Sequence, residues 1–136
     1  TDYGSQKGKM IKTNPKVALN FWWAKTDKQI RIQGYCIKTS NEESDEYFYS
    51  RPRESQISAT VSLQSKEIKS YKELVKKTED FRKVVLGSNL NRPVRWGGYI
   101  LIPDRIEFWK NEVNRLHKRE LFTLESKKWK KTLLSP

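Results

Sequence analysis

Alternation dominates the stretch from Lys28 to Thr39. Ile30 and Ile32, then Tyr35 and Ile37, recur two residues apart. That period places apolar side chains on one face of a strand, and the change of phase at Gly34 predicts a bulge there. Val17 to Ala24 is apolar and aromatic almost throughout and reads as another strand, joined to the first as a hairpin through Asp27 and Lys28. Ahead of it, Thr1 to Ser5 reads as the end of a strand entering a turn. Ser5 is placed to cap a short helix through Lys12, which Asn14-Pro15 stops.

The period then changes. Ser40 with Glu43 three residues on is a capping-box pattern, and the acidic run Glu42 to Glu46 suits a helix N-terminus. This helix would carry Tyr47 and Arg51, and a short one would follow over Glu54 to Leu63. Ser70 with Glu73 opens a further helix that presents Tyr71, Leu74, Val75, Thr78 and Arg82 on one side and stops at Gly87. Ser88 to Arg95 reads as loop. Gly98 to Ile102 and Arg105 to Trp109 read as strands separated by a Pro103-Asp104 turn, and Glu120 to Leu124 with Lys128 to Leu133 as a last hairpin around Ser126. Most strands thus come in adjacent antiparallel pairs with helices inserted among them. The pattern predicts a mainly β fold, a small antiparallel barrel with helices packed outside it.

At 136 residues the chain is sized for one domain with one core, and five Trp, six Tyr and five Phe supply large buried area. No apolar run approaches the roughly 20 residues of a membrane-spanning helix. No charged leader precedes an apolar stretch, so neither a membrane partner nor a secretory signal is expected. Cys36 is the only cysteine, which excludes an internal disulfide and a Cys-based metal cluster and fits a reducing, cytoplasmic setting. The formal charge of +12 admits nucleic acid, an anionic membrane or a phosphorylated small ligand. The lysines are spread over Lys7 to Lys16, Lys66 to Lys83 and Lys127 to Lys131. That is the distribution of a solvated surface, and no nucleic-acid partner is expected from it.

One run changes the picture. Tyr47, Arg51 and Ser55 recur every fourth residue, which on helical geometry puts a phenol, a guanidinium and a hydroxyl on one face. Such a donor cluster suits a phosphate, with Arg51 able to bind two oxygens at once. Pro52 interrupts the run and opens a second helical segment, so two helix ends meet near Arg51. The competing reading is a charged amphipathic helix with a polar turn.

Segments along almost the whole chain resemble the pyridoxamine 5'-phosphate oxidase family. They are, in order, Tyr3 to Lys9, Asn14-Pro15, Gln29 to Ile32, Tyr47-Phe48, Ser50 to Ile57, Gln64-Ser65, Trp96 to Tyr99, Ile106 to Trp109, Arg115 to Arg119 and Leu134-Ser135-Pro136. The resemblance implies an FMN-binding split β-barrel that forms a homodimer, with each site shared between the two chains. It implies FMN-dependent oxidation of pyridoxamine or pyridoxine 5'-phosphate to pyridoxal 5'-phosphate, with dioxygen as acceptor and hydrogen peroxide as product. By the same resemblance Thr1, Lys7, Gln29, Gln64, Ser65, Trp109 and Arg119 match flavin-binding positions. Tyr47, Arg51 and Ser55 match the substrate phosphate grip, in agreement with the unaided reading. Arg115 and His117 match residues lying against the pyridine ring. These two alternate in the strand sense, so both can point to one face with Leu116 turned away. No metal ligand set is implied.

The chain also departs from the family pattern. The upstream strand with an Arg-x-Val-Leu-Leu-Lys-like run is absent, so a single domain over 1–136 is expected without it. Gln6 stands where the family usually has Arg, and a lost charge-assisted bond is worth about 1.5–3 kcal/mol, roughly ten- to hundredfold in affinity. Ser58 and Thr60 replace a Gly and a Trp, Lys110-Asn111 replaces Gln-Gly, and Lys118 replaces an Asp between His117 and Arg119. These departures motivate a second reading, a non-catalytic FMN or pyridoxal-phosphate binder on the same fold.

Overall fold

The computed structural model describes residues 1–136. Its order is α1 (Gln6–Thr13), β1 (Lys16–Trp23), β2 (Lys28–Lys38), α2 (Asn41–Ser50), α3 (Arg53–Val61), α4 (Tyr71–Val84), β3 (Tyr99–Lys110), β4 (Lys118–Glu125) and β5 (Lys128–Leu134). The strands form one five-stranded sheet in the order β1-β2-β3-β4-β5. The ladders β1–β2, β3–β4 and β4–β5 are antiparallel. This is the mainly β, helix-containing class that the pattern predicts. No helix is long and apolar enough to cross a membrane.

Contacts divide the chain into two compact units, one of residues 1–13 and 38–100, the other of 14–37 and 101–136. The first holds the helices and an apolar core of Phe48, Ile57, Leu90 and Trp96, with Ala59, Phe81 and Val85 packed against it. Its helix starts follow the sequence. Ser5 Oγ accepts from Gly8 N (3.1 Å). Ser40 caps α2 with the full capping box, and Ser70 accepts from Glu73 N (3.1 Å) at the start of α4. Gly87, just past α4, takes φ 74, the left-handed turn that glycine adopts freely. Arg53 spans from α3 to carbonyls past the end of α4, Val85 O (2.6 Å) and Ser88 O (2.7 Å).

The second unit is sheet, and the opposed pairs define its faces. Trp22 faces Gln29, Glu107 faces Leu121 and Trp109 faces Arg119. One face therefore carries Gln29, Arg31, Gln33, Arg105, Glu107, Trp109 and Arg119. The other carries Leu19, Phe21, Trp23, Phe108, Leu124 and Trp129, all of them exposed. The β4–β5 turn runs through Ser126 and Lys127 with φ 48 and 65, the twist of a two-residue hairpin.

Two expectations about this sheet are corrected. Gly34 is not a bulge: the β1–β2 register is unbroken through Val17↔Gly34 and its neighbours. The glycine is needed because a Cβ there would collide with the carbonyl of Ile102. Nor is Pro103-Asp104 a turn, since β3 is continuous from Tyr99 to Lys110. The β3–β4 ladder begins only at Arg105, so the missing N–H of Pro103 costs that ladder nothing.

Candidate functional site

In the first unit the site is built on the break between α2 and α3. Pro52 disfavours helical geometry for the residue before it, and Arg51 is accordingly extended at φ −77, ψ 150. The expectation that Tyr47, Arg51 and Ser55 share one helical face is therefore corrected. Tyr47 stands in the last turns of α2, Arg51 in the break, and Ser55 in the first turn of α3, where its N–H reaches Pro52 O (2.8 Å). The meeting of two helix ends at Arg51 is as expected.

Trp96 brings two of these together. The Tyr47 ring stacks on its indole at 6.1 Å and 14°, and the Arg51 guanidinium carbon lies 5.0 Å from the ring centre. Arg51 Nη1 is buried and has no hydrogen-bond partner. A buried guanidinium donor left open is costly in a folded protein, and an anion is a ligand chemistry that would satisfy it. The neighbourhood is positive. The charges of Lys7 and Arg51 both act at the position of Thr1.

The N-terminal segment is held beside Trp96 by the Asp2↔Trp96 bridge, with Gly97 N donating to Thr1 O (2.9 Å). Gln64 Oε1 accepts from Thr1 Oγ1 (3.0 Å) and Asp2 N (2.9 Å), which turns its NH2 donors away from both. Ser65, next to it, sits in the left-handed region at φ 65, a conformation that non-glycine residues adopt at a cost. Asp2 is buried and pairs with Arg95 Nε (2.8 Å), whose Nη2 also reaches Thr60 O (2.7 Å) at the end of α3.

The second unit gathers the remaining predicted residues. Trp109 lies against Trp22 (5.9 Å) and against the His117 ring (4.7 Å). His117 Nδ1 accepts from Glu112 N (3.4 Å), which leaves the ring proton on Nε2, available to donate. Arg119 Nε donates to Glu107 (2.7 Å) and its Nη1 to Ser135 O (3.0 Å). Arg31 stands 3.5 Å from the second Glu107 oxygen. The hydrogen bond from Arg119 holds the Glu107 carboxyl below the usual carboxylate range, against the opposing effect of burial. A cleft of about 280 Å3 is lined by Gln29, Ile30, Trp109, Lys110 and Lys118, among others.

Arg115 and His117 are not on a strand, which corrects the expected alternation. β4 starts only at Lys118, while Asn114 (φ 55) and Arg115 (φ 62) turn the chain through the left-handed region. Two successive non-glycine residues there make a tight, costly corner with Arg115 exposed on it. Lys118 pairs with Glu120 (3.3 Å), on the face of β4 opposite to Arg119, so the basic substitution leaves the Arg119–Glu107 pair intact.

Sequence reasoning named Trp96 within a family-like segment and missed its contact with Arg51. It also missed Glu107. The signal there is an acid between Ile106 and Phe108 on an otherwise alternating strand, an inward charge that requires a partner.

Comparison with known proteins agrees with this layout. Residues 1–85 match the family described as pyridoxamine 5'-phosphate oxidase, and residues 96–136 match the pyridoxine 5'-phosphate oxidase C-terminal dimerisation region. The pyridoxine/pyridoxamine 5'-phosphate oxidase of Rubrobacter xylanophilus is 43% identical over 136 residues, all of this chain and 63% of that protein. That of Leptospira biflexa is 44% identical, over all of this chain and 64% of its own length. The chain thus spans under two thirds of the curated relatives it matches. Among solved structures, PhzG from Burkholderia lata 383, in complex with tetrahydrophenazine-1-carboxylic acid, superposes with TM-score 0.92 at 29% identity, over all of this chain and 66% of that one. A pyridoxamine 5'-phosphate oxidase-related, FMN binding protein from Nostoc punctiforme shares the fold at TM-score 0.70 and 15% identity, over all of this chain and 71% of its own. With family matches over both segments and relatives at this identity along its full length, the chain belongs to the pyridoxamine 5'-phosphate oxidase family.

Proposed function

We propose that this chain is the flavin- and substrate-binding part of an oxidase that converts pyridoxamine or pyridoxine 5'-phosphate to pyridoxal 5'-phosphate. The observation that carries the reading is the buried, unpartnered Nη1 of Arg51 in a positive neighbourhood. A phosphate is the ligand chemistry that satisfies a guanidinium held open in this way. Tyr47 and Ser55 would add hydroxyl donors to the same grip.

The residues present also fit FMN. Lys7 and Thr1 would meet its phosphate, and the free amide donors of Gln64, with Gln29, would meet ring carbonyls without adding charge. Ser65, Trp109 and Arg119 complete the set. When bound, FMN would supply the two-electron oxidation, with dioxygen as final acceptor giving hydrogen peroxide; the alcohol would yield the aldehyde directly, and the amine would yield an imine that water hydrolyses to the aldehyde and ammonia. The protein's own part is orientation. Arg115 would lie against the pyridine ring and steady its negative charge, and His117 would donate from Nε2 to it. The homodimer is part of the same reading. The match to a dimerisation region and the exposed Leu19, Phe21, Trp23, Phe108 and Trp129 on one sheet face favour a second copy as its cover.

The test is the full-length protein with added FMN. A visible flavin band and peroxide release with both phosphorylated vitamers are expected, with Arg51→Ala weakening their binding about ten- to hundredfold. A colourless protein that forms no peroxide after FMN is added would overturn the reading. Tight FMN or pyridoxal phosphate binding without peroxide would favour the non-catalytic alternative. The likeness to PhzG raises a related oxidase of a ring substrate that carries no phosphate. Turnover of such a ring that is insensitive to Arg51→Ala would select it.

A further inference from the structure

We propose that Trp96 is a positioning residue for phosphate recognition, its indole face holding the Arg51 guanidinium in place without consuming any of its N–H donors. This rests on the reading of Arg51 as the phosphate grip. The other arginines of the same unit are held by protein oxygens. Arg53 donates to Val85 O and Ser88 O, Arg82 to Glu54, Arg92 to Asp45 and to the carbonyl of Trp96, and Arg95 to Thr60 O, while its Nε, which makes no hydrogen bond, is ion-paired with Asp2. Each is fixed by spending donors on protein oxygens. A guanidinium fixed in that way has less left for a ligand, and a carboxylate partner would also cancel the charge that attracts a phosphate.

Arg51 is fixed differently. Its guanidinium carbon lies 5.0 Å from the Trp96 ring centre, and Nη1 remains buried and unspent. An aromatic face attracts a cation through its quadrupole and asks for no particular N–H, so the fork stays open. The platform itself is rigid. Trp96 is 8% exposed, its N–H donates to Pro93 O (2.8 Å), and its carbonyl accepts from Arg92. Phe48, fully buried, meets the indole edge-on at 5.4 Å. The same indole stacks in parallel with the ring of Tyr47, a residue that is otherwise 64% exposed. One buried ring therefore sets two of the groups that would contact the phosphate.

The prediction concerns selectivity for the phosphate, not activity. In the full-length protein, calorimetry with 4-deoxypyridoxine 5'-phosphate and with 4-deoxypyridoxine gives the affinity ratio due to the phosphate alone. Neither compound can be oxidised at C4'. Trp96→Phe keeps an aromatic face and should retain this ratio within about threefold. Trp96→Leu should lower it about tenfold while the affinity for the unphosphorylated ring changes little. Arg51→Ala should lower it further. If Trp96→Leu folds and keeps the ratio while Arg51→Ala loses it, the positioning role is overturned and the phosphate grip stands. If Arg51→Ala keeps the ratio, the grip itself is wrong and the inference falls with it. Should Trp96→Leu fail to fold, fluorescence decides. Inorganic phosphate should change the emission of the wild-type protein but not of Trp96→Phe, and an equal response in both overturns the proposal.

Discussion

The two units handle charge in opposite ways. In the first, an apolar core lies directly beneath the platform that carries Arg51: Phe48 and Trp96 are buried, and Arg51 rests on Trp96 with a donor to spare. In the second, the buried side chains are Leu121 and Glu107, and Glu107 is already paired with Arg119 and Arg31. A site that must receive an anion is better served by the first arrangement, since its cation is oriented before the ligand arrives and is not neutralised by the protein. The second arrangement orients Arg119 through a carboxylate, which fixes one edge of the guanidinium and lowers the local net charge. Where the ligand part is an uncharged ring edge, that lower charge is no loss.

The contrast can be broken most severely from the first unit. Phe48 is fully buried, packs edge-on to Trp96, and sits in the turn of α2 that leads to Arg51. Phe48→Ala should cost about 3–5 kcal/mol, read as a fall in the urea midpoint. Because the same ring braces the indole, affinity for a phosphorylated ligand should fall in the protein that remains folded. Stability lost with phosphate selectivity unchanged would show that core and grip are independent.

Gly34→Ala applies the comparable stress to the second unit. The new methyl would meet the Ile102 carbonyl where β2 passes β3, and backbone does not yield as a side-chain tip does. The expected cost is about 1–3 kcal/mol, visible as a lower Tm, with the first unit's response to phosphate unaffected. A wild-type Tm would mean that the close approach of these strands is looser than described.

Legibility followed locality. The caps at Ser5, Ser40 and Ser70 were readable because each is settled within about four residues. The last hairpin was readable for the same reason. Gly34 was misread because its cause lies on β3, far along the chain. Pro103 was misread because a proline outside the β3–β4 ladder is tolerated in a strand, and register is not visible in one sequence. At the candidate site, the spacing of Tyr47, Arg51 and Ser55 assumed one continuous helix, and Pro52 ends that helix, so the geometry behind the phosphate reading is not the one the spacing implies. The family resemblance supplied Arg115 and His117, but the left-handed corner at Asn114 and Arg115 carries no glycine to announce it. The partners of Arg51 and Arg119, Trp96 and Glu107, come from distant segments, which is why their roles emerged only with the fold.

The smallest effect sharpens the contrast through pH. Arg119 lowers the folded-state pKa of Glu107 relative to its ordinary value near 4.5. A depressed carboxylate contributes stability that is fully present above that ordinary value and is lost as pH falls through the lower folded one. Glu107→Gln keeps the shape and removes the charge, so near neutral pH it should cost on the order of 1 kcal/mol, the pair being partly screened by solvent. Urea unfolding from pH 7 to pH 3 should then show a constant gap between wild type and variant down to about pH 5, closing progressively below pH 4.5. A gap that stayed flat into acid would mean that Arg119 is held in place by Ser135 O and packing alone. In that event the second unit would orient its arginine much as the first does, without relying on a carboxylate, and the difference between the two units would reduce to which donors remain open.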